Sequence, residues 1–146
     1  MKTTMQWTLA LLLAAATIPG AVAAPAGGLY TLDTCPVSGQ KLGSMGEPVV
    51  KNYDGREVRF CCKACVGKFE SDPAAWLVKV DAAIVAQQAA HYPLDTCAVS
   101  GEKLGSMGEP IDRVVGNRLV RLCCKGCDKG LEKDPAAALA RLDAAQ

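Results

Sequence analysis

Seven residues, Arg59-Phe60-Cys61-Cys62-Lys63-Ala64-Cys65, recur sixty-two positions later as Arg121-Leu122-Cys123-Cys124-Lys125-Gly126-Cys127. Cys35 and Cys97 stand at the same interval, so all eight cysteines fall into two equivalent sets of four. Core packing does not ask for such clustering, since a buried free cysteine behaves as a small hydrophobe wherever it sits. A soft metal ion does ask for it, because four thiolates must meet one ion at ~2.3 Å. Cys35, Cys61, Cys62 and Cys65 are therefore one candidate site, and Cys97, Cys123, Cys124 and Cys127 a second. Each would take one Zn(II) or Cu(I) ion. The competing reading is a pair of small domains stapled by disulfides.

The elements that must position these thiols repeat with them. Tyr30 to Ala83 aligns with Tyr92 to Ala145 without a gap, and two copies make a tandem pair rather than a solenoid, which needs at least three. Domain bounds follow: 29–84 for the first metal-binding repeat, 85–91 for a helix end and linker, 92–146 for the second repeat. In each copy a tight turn carries the first cysteine, with Gly39 free to take a positive φ. A glycine-rich loop from Gly43 to Pro48 comes next. Asp54-Gly55 between Val49–Tyr53 and Arg56–Phe60 signals a two-residue hairpin, and Gly116-Asn117 takes the same place in the second copy. The second strand runs into the cysteine cluster, where Cys62 to Glu70 is expected to form a short helix. Asp72 then serves as N-cap, with Pro73 at the first helical position, for a longer helix to about Ala90. Asp134-Pro135 repeats this ahead of Ala136 to Ala145. Trp76, Leu77 and Val80 should pack the long helix on its hairpin, and Gln87 to His91 should be its frayed end.

A cysteine turn, a hairpin and a helix opening on cysteine describe an α+β, treble-clef-like unit. The chain resembles the TRASH and YHS domains of heavy-metal handling proteins. The matching residues are Cys35 after Asp33-Thr34, the run Gly55 to Cys61, Cys65, Lys68-Phe69-Glu70 and Asp72-Pro73. In the second copy they are Cys97, Cys123, Cys127, Leu131-Glu132 and Asp134-Pro135. Two departures stand out: twenty-five residues separate Cys35 from Cys61, a long spacer, and the Tyr-His-Ser signature is absent. The resemblance implies binding of zinc, copper or toxic soft metals, through Cys61 with Cys65 and Cys123 with Cys127. Cys62 and Cys65 offer the alternative Cys-x2-Cys spacing. Without Cys62 the site has three thiolates and an open position suited to exchange; with it the site is closed and structural. The recurrence of Cys62 as Cys124 favours its participation. Met45 and Met107, the other repeated soft groups, are expected to pack against the core rather than to ligate. His91 aligns with Leu29 and belongs to no shared site.

At the N-terminus Lys2, the apolar run Trp7 to Ile18 and Ala21-Val22-Ala23 predict a signal peptide, 1–23, cleaved after Ala23 and followed by a linker at 24–28. The expected destination is the periplasm or outside, with no membrane span after cleavage and a possible periplasmic protein partner. Sixteen basic against fifteen acidic residues give a near-neutral chain, without the basic patch a nucleic-acid partner would want. Hydrolysis finds no Ser/His/Asp set, because the lone histidine lies in the linker. An iron–sulfur cluster would have to be acquired outside the cytoplasm. A thiol oxidoreductase is the serious competitor, since Cys62-Lys63-Ala64-Cys65 opens a helix, yet Cys35 and Cys61 have no part in that mechanism. The expectation is a non-enzymatic soft-metal-binding protein for buffering, delivery or sensing. The alternative is a structural zinc pair that binds a protein partner.

Overall fold

The computed structural model describes residues 29–146; the expected signal peptide and the 24–28 linker lie outside them. Among the described residues the architecture is mixed α+β, with two small antiparallel hairpins and four helices. In the first repeat β1 (Val49–Tyr53) pairs with β2 (Arg56–Phe60) across Asp54-Gly55, both with positive φ. Then come α1 (Lys63–Ser71) and α2 (Pro73–Gln88), closed by a tight helical turn over Ala89–His91. The second repeat follows with β3 (Ile111–Val115), β4 (Arg118–Leu122), a helical turn at Lys125–Cys127, α3 (Asp128–Lys133) and α4 (Pro135–Ala144). The strand bounds of the first hairpin are those expected from the sequence. No helix among the described residues is long and apolar enough to cross a membrane.

Each element follows from local chemistry. In β2 the alternation puts Val58 and Phe60 inside, with Glu57 and Arg59 on the other face. Asp72 caps α2 by accepting from the Ala75 amide at 3.1 Å, and Asp134 does the same for α4 from Ala137 at 2.9 Å. Phe60 and Phe69 meet edge to face at 5.1 Å, and Tyr53 lies 4.7 Å from Phe69. The second repeat puts Leu122, Leu131 and Val115 at these three positions, a leaner aliphatic core.

The helices correct three expectations. α1 starts at Lys63, with Cys62 just outside it. Its counterpart is split into a helical turn and a six-residue α3. Gly126 stands there in place of Ala64, a weaker helix former. Gln87 to His91 is no frayed end. The Gln88 side chain donates to the Asn117 carbonyl at 3.0 Å and accepts from the Leu119 amide at 2.7 Å, so α2 is stitched to the second hairpin. The Gly-rich loops do not tuck their methionines inward: Met45 is 67% and Met107 64% exposed.

α2 packs on both hairpins. Val80 and Ile84 face the first core, while Val114 and Leu119 of the second hairpin come against the first repeat and its helix. Val114 and Leu119 are a cross-strand pair standing where the first hairpin has Asn52 and Glu57. Asn117 completes the junction. It is fully buried, holds φ +64°, and donates to the Glu57 carbonyl at 2.7 Å. Its Oδ1 accepts from Arg56 at 3.2 and 3.3 Å.

Candidate metal centre

The first ligand of each set is delivered by a tight turn. The Cys35 amide donates to the Gln40 carbonyl and the Gly39 amide to the Cys35 carbonyl, both at 2.8 Å; Gly39 sits at φ +70°. Cys97 repeats this with Glu102 and Gly101 at 2.7 and 2.9 Å. Isolated bridges from Thr34 to Lys41 and from Thr96 to Lys103 pin the turns. The other ligands come from the strand-to-helix corner. Cys61 ends the extended chain after Phe60, while Cys65 lies one turn into α1, where its amide donates to the Cys62 carbonyl at 3.2 Å.

In the folded chain the sulfurs of Cys35, Cys61 and Cys65 lie within 4.8 Å of one another, and so do those of Cys97, Cys123 and Cys127. Cys61 to Cys65 is 3.7 Å, as is Cys123 to Cys127. A tetrahedral ion with ~2.3 Å bonds separates its sulfurs by roughly 3.8 Å. A disulfide would need ~2.05 Å. All eight cysteines are free thiols in this structure, and the spacing suits an ion held between them. Cys62 stands outside the mutual set but beside it, 3.9 Å from Cys61 and 3.6 Å from Cys65. Cys124 lies 4.0 Å from Cys123. The structure thus assembles three of the four expected ligands in each repeat and puts the fourth beside them, half-exposed, as Cys127 of the second set is too. His91 is exposed and belongs to neither set, and Met45 and Met107 are exposed on their loops.

Two serines were not singled out by sequence reasoning. Ser38 Oγ lies 3.2 Å from Cys61 Sγ, and Ser100 Oγ 3.4 Å from Cys123 Sγ. The signal was present in the Val-Ser-Gly that follows both turn cysteines. These serines tie the turn to the strand end through hydroxyl–thiol hydrogen bonds in which either group can donate.

The thiols are not electrostatically equal. Burial pushes Cys35 up, but the Ser38 hydroxyl and the amides of Cys61, Ser38 and Val37 outweigh it and bring the thiol down to about 7. Cys97 is brought to about 6 by the same balance, against burial, through Ser100 and the amides of Cys123 and Val99. Cys65 and Cys127 go the other way, to about 12. Burial is the leading cause for both, followed for Cys65 by hydrogen bonds with Cys62 and Cys61. Cys62 is lowered by the Cys65 amide and Cys124 by that of Gly126. Each cluster thus carries one thiol that ionises near neutral pH beside one that burial keeps protonated well above it. Comparison with protein-family models, with curated proteins and with solved structures found no match.

Proposed function

We propose that this protein is an exported, non-enzymatic binder of soft metal ions. It holds one ion per repeat for buffering, delivery or sensing of zinc, copper or a chemically similar metal. One observation carries the reading: in both repeats, sulfurs from segments more than twenty residues apart come within 4.8 Å of one another, two of them at 3.7 Å, while remaining unbonded. The order of cysteine turn, hairpin and helix is what a treble-clef-like unit of the TRASH and YHS kind would require, and the resemblance of the sequence supports that placement. Cys35, Cys61 and Cys65, with Cys97, Cys123 and Cys127, form the inner ligand sets; Cys62 and Cys124 complete them from the rim.

Elemental analysis of the purified chain, with thiols counted before and after chelation, tests this. The expected result is about two ions per chain and thiols that react only once metal is removed. A metal-free protein carrying four disulfides would reject it. A periplasmic thiol–disulfide role is the second reading, favoured by the half-exposed Cys62, its lowered pKa and its 3.6 Å approach to Cys65. Catalysis of thiol exchange that survives chelation would select it.

A further inference from the structure

The described chain has six arginines, and five are paired with carboxylates: Arg56 with Asp81, Arg59 with Glu57, Arg113 with Asp128, Arg118 with Asp143 and Arg121 with Asp112. Arg141 has no carboxylate partner among the described residues. Its Nη1 donates to two carbonyls, those of Ala98 at 3.1 Å and Val99 at 2.8 Å, which anchors the guanidinium to the turn carrying Cys97. The first repeat is built differently. Lys79 takes the corresponding position, and its ammonium lies 4.0 Å from the Trp76 ring centroid. Ala138, buried in the second core, replaces that tryptophan, so Arg141 has no indole to stack on and reaches the turn instead. Beside it opens a cavity of about 450 Å³, with Leu94, Thr96, Cys97, Ser100 and Arg141 in its wall. The cavity is thus bordered by Cys97, a candidate ligand of the second centre that is itself only 1% exposed, and by an anchored cation, with two hydroxyl side chains beside them.

We propose that this cavity is the exchange port of the second centre and admits a small thiol that carries a carboxylate. The carboxylate pairs with Arg141, which brings the ligand's sulfur to an ion held at Cys97. The proposal rests on the metal-binding reading above. The step is a ligand exchange without change of oxidation state. The incoming thiol gives its proton to solvent as its sulfur bonds to the ion, the ion–Cys97 bond breaks, and the released Cys97 thiolate is free to take up a proton. The first centre lacks an arginine anchored at its cysteine turn, so the two centres differ in the ligand they answer to.

The test is transfer of zinc from the full chain, loaded with Zn(II), to a chromophoric chelator. 3-Mercaptopropionate serves as the shuttle, against uncharged 3-mercaptopropanol. At low salt one of the two ions is expected to move about five-fold faster with the anionic thiol, the upper end of what an exposed ion pair supplies. That preference should vanish in 1 M salt and in Arg141→Gln, return in Arg141→Lys, and persist in Lys79→Gln. Equal rates with the two thiols, or a preference that survives Arg141→Gln or high salt, would overturn the port while leaving metal binding intact. A chain that binds no ion overturns both. Should Arg141→Gln fail to fold, the salt dependence of the unaltered protein decides alone.

Discussion

Within each cluster the three inner sulfurs and the rim sulfur hold different positions, and substitution separates them. Cys61→Ser with Cys123→Ser takes one thiolate from each inner set. If the binding energy of a small zinc module, about 10–16 kcal/mol, is shared among its ligands, affinity should fall roughly a hundredfold or more. Cys62→Ser with Cys124→Ser is expected to keep two ions per chain and to weaken binding less, because these sulfurs close the site from its edge. Competition titrations with Zn(II) and Cu(I) measure both; equal losses in the two variants would place all four sulfurs on the same footing. The thiol pKa values set the pH behaviour of the reduced, metal-free chain. Between about 6 or 7 and 9, Cys35 and Cys97 are ionised when folded but protonated when unfolded. The unfolded chain then binds more protons, and stability rises with pH. Between 9 and about 12, Cys65 and Cys127 remain protonated only in the fold, so stability falls. Chemical denaturation across pH should show a maximum near 9, and a monotonic profile would contradict the assignment.

Among the elements, α2 has the most consequence, because one helix serves two hairpins. Its start is secured by Asp72, whose substitution by alanine should cost about 1 kcal/mol. Its end is secured by Gln88, which holds the Asn117 carbonyl and the Leu119 amide together. Asn117 does two jobs at the hairpin tip: it accepts the left-handed backbone conformation and it fills the junction with hydrogen bonds. Asn117→Gly keeps the first and loses the second, whereas Asn117→Ala loses both. Thermal melts should rank wild type above the glycine variant and the glycine variant above alanine. Leaving buried partners unpaired should cost about 1–3 kcal/mol, and the strained φ should add to the alanine cost. If alanine were as stable as glycine, backbone conformation would not matter at this tip.

In the whole molecule the two repeats share a buried junction, so they should not behave as beads on a string. Each core is small, and the second lacks the aromatic cluster of the first. A single core this small rarely supplies more than about 3–5 kcal/mol, and a bound metal is one of the usual supplements. Chelating the reduced full chain should therefore lower the melting temperature of both repeats together, in one near-ultraviolet circular dichroism transition, and added metal should raise it again. Separated repeats should together be less stable than the tandem chain, since separation exposes Leu119, Val114 and Asn117. Two independent melts in the full chain, or a metal-free form melting at the temperature of the metal-loaded one, would refute this coupling.

The sequence by itself determined the elements and the pairing of chemistry with repeat. Asp54-Gly55, Asp72-Pro73 and the alternation in β2 are local signals with local causes, and the structure reproduces them within a residue or two. The eight cysteines declared themselves because a sixty-two-residue interval is visible without a fold. Which three sulfurs all lie within reach of one another was not legible from spacing alone, because Cys61 and Cys62 are neighbours in sequence. Only the strand-to-helix corner sends one inward and leaves the other at the rim. Nor was the junction read from the sequence, although Asn52 and Glu57 changing to Val114 and Leu119 was a visible sign. A hairpin's outer face turns apolar only when something covers it, and here the cover is a helix of the preceding repeat. The exposure of Met45 and Met107, and the reach of Arg141 to the Cys97 turn, were likewise decided by tertiary packing. Both depend on what the surrounding chain leaves open, a long-range property that no window along the sequence contains.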